Sequence, residues 1–152
     1  MKFIIFDLDG VLLDSRELHY HALNEALGTL NWKYIINRQE HLSRYDGLST
    51  TKKLKLLTED KGLPIAEYDN IWNKKQKATF ALIPQCPYNK DAKSIIKALK
   101  EKGWKIAVAS NSIRETVKVS LDAIDILTDV DYYVSNEDVF NPKPFPEMYW
   151  KC

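Results

Sequence analysis

Two aspartates, Asp7 and Asp9, stand two positions apart in the stretch FDLDGVLLDS, directly after the apolar run Lys2-Phe3-Ile4-Ile5-Phe6. Burying a carboxylate without a partner is costly, so a buried strand that ends on two of them must meet something that offsets the charge. Further along, the apolar run WKIAVAS ends at Ser110 with Asn111 behind it. A third β-rich run, VDYYVSN, is followed by Lys143 among Pro142, Pro144 and Pro146. In an open parallel sheet, ligands bind beyond the carboxyl ends of the strands. Two carboxylates, a hydroxyl beside a helix start and an ammonium at three such ends suit a phosphoryl group. One carboxylate can attack phosphorus and form an aspartyl-phosphate. A second can shuttle a proton to and from the oxygen that departs or attacks. Mg²⁺ favours carboxylate and phosphate oxygens and would reconcile two acids in one place. Free N–H groups at a helix start would hold phosphate oxygens, and Lys143 would add a point charge.

The elements that must position these groups are legible as patterns. Short apolar runs predict strands at Lys2–Phe6, Trp104–Ser110 and Tyr132–Asn136. Asp14 with Glu17 reads as a capping box, ahead of Leu18, Ala22, Leu23, Ala26, Leu27 and Leu30 at helical spacing. STTKKLKLLTEDKG predicts a helix capped by Ser49 or Thr50 and stopped by Gly62. IAEYDNIWNKKQKATFALI predicts another, anchored by Ile71, Trp72, Phe80, Leu82 and Ile83, before the break at PQCPYN. DAKSIIKALKEKG should turn Ile95, Ile96 and Leu99 inward and stop at Gly103. Ser112 with Glu115 is a second capping box, opening the helix after the Ser110 strand end. Strands separated by helices argue for an α/β parallel sheet. A plain crossover needs only about a dozen residues. The much longer helical stretch after the first strand therefore reads as an inserted cap. The expected division is residues 1–14 and 86–152 for a Rossmann-like α/β core, and 15–85 for a helical cap.

Composition sets the bounds. The chain has 152 residues, 45% hydrophobic and 28% charged, with a formal net charge of +1. That is ordinary for a globular protein and lacks the clustered basic excess of a nucleic-acid footprint, so no nucleic-acid partner is expected. No apolar run approaches the ~20 residues of a membrane span, and the N-terminus lacks a signal-peptide pattern, so no membrane partner and a cytoplasmic location are expected. Cys86 and Cys152 have neither metal-type spacing nor a disulfide framework, and read as one buried and one near-terminal thiol. Trp32, Trp72, Trp104 and Trp150 read as packing residues.

With these residues in view, the chain resembles the haloacid dehalogenase superfamily. DLDGV (Asp7 to Val11), VASNS (Val108 to Ser112) and PKPFPEMY (Pro142 to Tyr149) look like its first three motifs. The helical insertion resembles the helical-cap subgroup of beta-phosphoglucomutase and small-molecule phosphatases. The resemblance implies Asp7 as nucleophile and metal ligand. It implies Asp9 as general acid/base, with its backbone carbonyl on Mg²⁺. Ser110 and the Asn111 amide would bind phosphate, and Lys143 would bind phosphate and the nucleophile. A cap that closes over a small phosphorylated metabolite is implied as well. His19, in the first turns of the cap, and Gly47 and Ser49 in a cap loop are the candidate substrate contacts. His21, two positions from His19, points to another face. His41 shows no partner in the sequence.

The implied activity is a Mg²⁺-dependent phosphatase working through an aspartyl-phosphate. A phosphomutase, or a truncated non-catalytic domain, are the alternatives. The family's fourth motif supplies a further acidic ligand and is not found before Cys152, so the core reads as truncated. Glu137 or Asp138 are then the acids that could stand in. A truncated sheet would leave the first strand at an exposed edge, open to self-association. The bland readings are a turn with capping duties for Asp7 and Asp9, and a solvent-facing loop lysine for Lys143. A calcium loop is excluded, because the stretch lacks acids at alternate positions and a closing Glu.

Overall fold

The computed structural model describes residues 2–152. In chain order the elements are β1 (Lys2–Asp7), α1 (Arg16–Gly28), α2 (Arg38–Glu40), α3 (Thr50–Lys61), α4 (Tyr68–Leu82), α5 (Ala92–Glu101), β2 (Trp104–Ala109), α6 (Arg114–Ala123), β3 (Tyr132–Val134) and α7 (Glu147–Lys151). They form two compact units, residues 1–15 with 83–152, and residues 16–82. Ser15 and Ile83–Gln85 thus group with the α/β unit rather than with the helices. Ser15 is tied there by its hydroxyl bond to Asp9. Among the described residues no helix is long and apolar enough to cross a membrane.

The α/β unit is a parallel sheet in the order β1-β2-β3. Its register sets Asp7 level with Ala109, and Ala109 level with Val134, so the three strands end together. β2 lies between two strands, and Ile106, Ala107, Val108 and Ala109 are fully buried, as both faces of a parallel sheet require. The period-2 alternation sorts the two faces. Ile106 and Val108 pack with Leu8, Ile96, Val117 and Leu121 on one, while Ala109, Val134 and Met148 pack on the other. β1 has a single strand neighbour among the described residues and is only partly buried. β3 stops two residues short of the expected Asn136. Ser135 there turns inward to cap the single helical turn Asn136–Asp138, its hydroxyl accepting from the Glu137 N–H.

Where β1 ends, the chain folds tightly. The Leu8 carbonyl accepts the N–H groups of Leu12 and Leu13, each at 3.0 Å, and the Gly10 N–H reaches the Leu13 carbonyl at 2.7 Å. Gly10 takes φ +81°, a left-handed conformation that a side chain would disfavour. The returning chain is tied to the same loop, Asp14 N–H to the Pro87 carbonyl and Asn89 N–H to the Leu12 carbonyl.

In the helical unit, Leu23, Ala26 and Leu27 of α1 pack with Leu54 and Leu57 of α3, Ile71 of α4, and Tyr34, Ile36, Tyr45 and Leu63. α3 has the expected ends, with Ser49 accepting from the Lys52 N–H and Gly62 closing it at φ +68°. The Asn24 side chain locks the loop after α1 by bonding both ways with the Ile36 backbone, at 2.8 and 2.9 Å.

Several packing expectations need correction. Ile96 is fully buried but its neighbour Ile95 is 45% exposed, because adjacent helical positions cannot share one narrow inward stripe. Trp32 and Trp150 are 81% and 80% exposed, so only Trp72 and Trp104 pack against a core. Cys86 is half-buried and donates to the Asp14 carbonyl. The Ser112–Glu115 capping box does not form. Its helix begins at Arg114, whose N–H is taken by the Glu137 carboxylate at 2.7 Å.

Candidate active site

The aligned strand ends bring five of the sequence-chosen residues together. Asp7 closes β1 with one carboxylate oxygen, Oδ1, held twice: by the Lys143 ammonium at 2.8 Å and by the Leu8 N–H at 2.8 Å. The carboxylate is half-exposed while Lys143 is largely buried. The same ammonium donates to the Ala109 carbonyl at 2.9 Å, which draws the end of β2 into the cluster. Asp9 keeps different company. Its Oδ1 accepts the Ser15 hydroxyl at 2.5 Å and its Oδ2 the Ser110 hydroxyl at 2.7 Å. Ser110 is fully buried, its N–H donates to the Val134 carbonyl, and its oxygen accepts from the Ser112 N–H at 3.1 Å. Asn111 bonds through its side chain with both backbone polar groups of Lys143. Two carboxylates so near each other are distinguished by their donors. Asp7 is held by a cation and Asp9 by hydroxyls.

Glu137 and Asp138, considered as stand-in acids, are committed to the turn after β3 and to the first residue of α6. Asp138 accepts from the Ser135 N–H and hydroxyl and from the Arg114 guanidinium. Burial pushes its carboxyl up, but those hydrogen bonds and the Arg114 charge outweigh it and hold the pKa at about 2. Glu137 caps α6. Both acids therefore brace the loop that carries Ser110 and Asn111.

The other candidates belong to the helical unit. His19 lies on α1 with its Nδ1 at 3.5 Å from the Lys75 ammonium. Gly47 takes φ +72°, and its N–H is held by Asp46 at 3.1 Å. Ser49 serves as the N-cap of α3. His41, for which the sequence showed no partner, is only 2% exposed, lies beside the Tyr20 ring and has Nε2 at 3.8 Å from Asp46. Burial pushes its pKa down, with the Lys53 charge adding to the effect. Lys53 and Lys75 are also buried and were passed over. Their signal was present: Lys75 is four positions after Ile71, and Lys53 four before Leu57, on the stripes that pack inward.

A family model described as haloacid dehalogenase-like hydrolase matches residues 4–152. The chain belongs to this family. This haloacid dehalogenase-like chain is 29% identical over 150 residues to the phosphoglycolate phosphatase of Aquifex aeolicus, the match covering 96% of the chain and 66% of that protein. It is 25% identical over 152 residues to the phosphorylated carbohydrates phosphatase of Thermotoga maritima, covering 98% and 68%. In structure it resembles a hydrolase from Pseudomonas syringae, with a TM-score of 0.81 and 26% identity, covering 99% and 67%. The haloacid dehalogenase-like chain thus spans about two thirds of the length of these relatives. Family members of this kind imply a divalent metal. Among the described residues no three His, Cys, Asp or Glu side chains gather as a metal-binding group. The Asp7 carboxylate and the Asp9 backbone carbonyl are nonetheless hard oxygen donors. Such a set fits a hard divalent cation that shares its shell with water and substrate phosphate.

Proposed function

We propose that this chain carries the catalytic core of a Mg²⁺-dependent phosphatase acting on a small phosphorylated metabolite. The observation that supports it is the 2.8 Å pairing of the Asp7 carboxylate with the Lys143 ammonium, beside a second, hydroxyl-held carboxylate at Asp9. Lys143 and the Leu8 N–H fix Asp7 through Oδ1, which presents Oδ2 to an incoming phosphorus. Asp7 Oδ2 attacks, the bond from phosphorus to the substrate's ester oxygen breaks, and the departing oxygen takes a proton that Asp9 has first bound from solvent. Asp9 reaches that oxygen by turning away from Ser15 and Ser110. A water then attacks the aspartyl-phosphate and gives its proton to Asp9. The phosphorus–Asp7 bond breaks and orthophosphate leaves. Ser110, the Asn111 N–H and Lys143 hold the phosphoryl oxygens throughout. Asp7 and the Asp9 carbonyl would hold Mg²⁺, whose contribution is neutralisation of the phosphoryl charge. His19, Gly47 and Ser49 are the substrate contacts assigned to the helical unit.

The test is a phosphoryl-trapping experiment. The chain is incubated with Mg²⁺ and acetyl phosphate, quenched in acid and mapped by mass spectrometry. A phosphoryl adduct on Asp7 supports the proposal, and its absence, or its placement elsewhere, overturns the nucleophile. Release of orthophosphate from sugar phosphates then marks a phosphatase, and isomerised sugar phosphate marks a phosphomutase.

A further inference from the structure

We propose that the Asn111 side chain is the positioning residue for Lys143. The inference rests on the phosphoryl reading of the site and adds a role that reading does not use, since only the Asn111 backbone N–H serves there. The Asn111 amide nitrogen donates to the Lys143 carbonyl at 3.0 Å, and the Lys143 N–H donates to the Asn111 amide oxygen at 2.9 Å. One planar side chain thus closes a two-bond ring onto one residue of a loop 32 positions away. Lys143 stands between Pro142 and Pro144, neither of which has an N–H, so its own is the only backbone donor across three residues. That donor is spent on Asn111. Beyond the backbone, Lys143 is a flexible four-carbon stem whose ammonium must meet both Asp7 and the Ala109 carbonyl. A long side chain reaches two acceptors reliably only if its root is fixed. The chain uses the same device at Asn24 and Ile36, in the helical unit, which supplies an internal control.

The probes are orthophosphate and beryllium fluoride, titrated with Mg²⁺ into the full chain by calorimetry. Asn111→Ala should weaken binding on the order of tenfold, the scale of one lost charged hydrogen bond. The double variant Asn111→Ala/Lys143→Ala should bind no more weakly than Lys143→Ala alone, because the first acts through the second. Asn111→Asp, whose carboxylate would face the Lys143 carbonyl without a donor and add a negative charge near the anion, should not recover the loss. Asn24→Ala should lower the melting temperature and leave probe affinity unchanged. A crystal structure of Asn111→Ala should show the Lys143 ammonium withdrawn from Asp7. Additive losses in the double variant, or equal losses from Asn24→Ala, overturn the proposal. So does an ammonium still within hydrogen-bond distance of Asp7. If the unaltered chain binds neither probe, the phosphoryl reading falls, while the crystal structure still decides the lock.

Discussion

Asp7 and Asp9 differ in what surrounds them rather than in what they are, and the proposed division of labour rests on that. Asp7→Asn keeps an oxygen for Lys143 and Leu8 but is no nucleophile. The variant should fold with a near-normal melting temperature and take up no phosphoryl group from acetyl phosphate. Phosphoryl label on the Asp7→Asn chain would show the assignment to be wrong. His41 offers a second residue-scale expectation. Its pKa is lowered in the folded chain by burial and by Lys53, with Asp46 and Glu17 pulling the other way. Between the folded value and the free value of about 6.5 the unfolded chain binds a proton that the folded chain refuses. Stability should therefore fall as pH drops below about 6.5, by up to ~1.4 kcal/mol per pH unit until the folded pKa is passed. His41→Phe should flatten that slope. Urea midpoints at pH 7 and pH 5 decide it, and an unchanged slope would place the charge elsewhere.

At the scale of elements, the turn after β3 and the start of α6 act as one brace. Arg114 joins them, bonded to Asp138 through its guanidinium and to Glu137 through its N–H. The Asn136 N–H adds a bond to the Ser112 carbonyl at 3.1 Å. The Asp138 pKa of about 2 sits below its free value of 3.8, so the folded chain holds the carboxylate more tightly than the unfolded one. That stability is fully present above about pH 4 and is lost as pH falls through 2. Asp138→Asn should cost about 2 kcal/mol at pH 7 and remove most of the loss between those limits. Thermal unfolding at pH 7 and pH 3 measures both effects. The brace was unreadable in the sequence, where Ser112 and Glu115 offered a local cap of good spacing. The long-range Glu137 contact took its place because a carboxylate from the turn after the neighbouring strand reaches the Arg114 N–H, one of the orphan donors of the same first turn.

At the scale of the whole molecule, β1 has one strand neighbour among the described residues, and its other side is a sheet edge. Backbone groups of an edge strand remain available for pairing, and Phe3, Ile4, Ile5 and Phe6 are only partly buried. The chain should therefore associate with rising concentration. Phe3→Lys, which places a charge on the more exposed part of that edge, should suppress association. Sedimentation velocity across a hundredfold concentration range tests it, and a monomer throughout would mean that the edge is otherwise guarded.

What the sequence determined by itself was the class of fold and the residues gathered at the strand ends. Both follow from local rules: apolar runs of strand length, helical spacing between them, and polar residues placed where strands stop. Ser49, Gly62 and Gly103 marked helix ends for the same reason, since at these three positions the helix is capped or stopped within a turn. Tertiary structure decided the partners. That Asp9 faces Ser110, that Asn111 holds Lys143 and that Glu137 caps α6 depend on which loops the parallel register brings level, and that His41 is buried depends on the packing within the helical unit. No spacing along one chain encodes contacts made between loops so far apart in it.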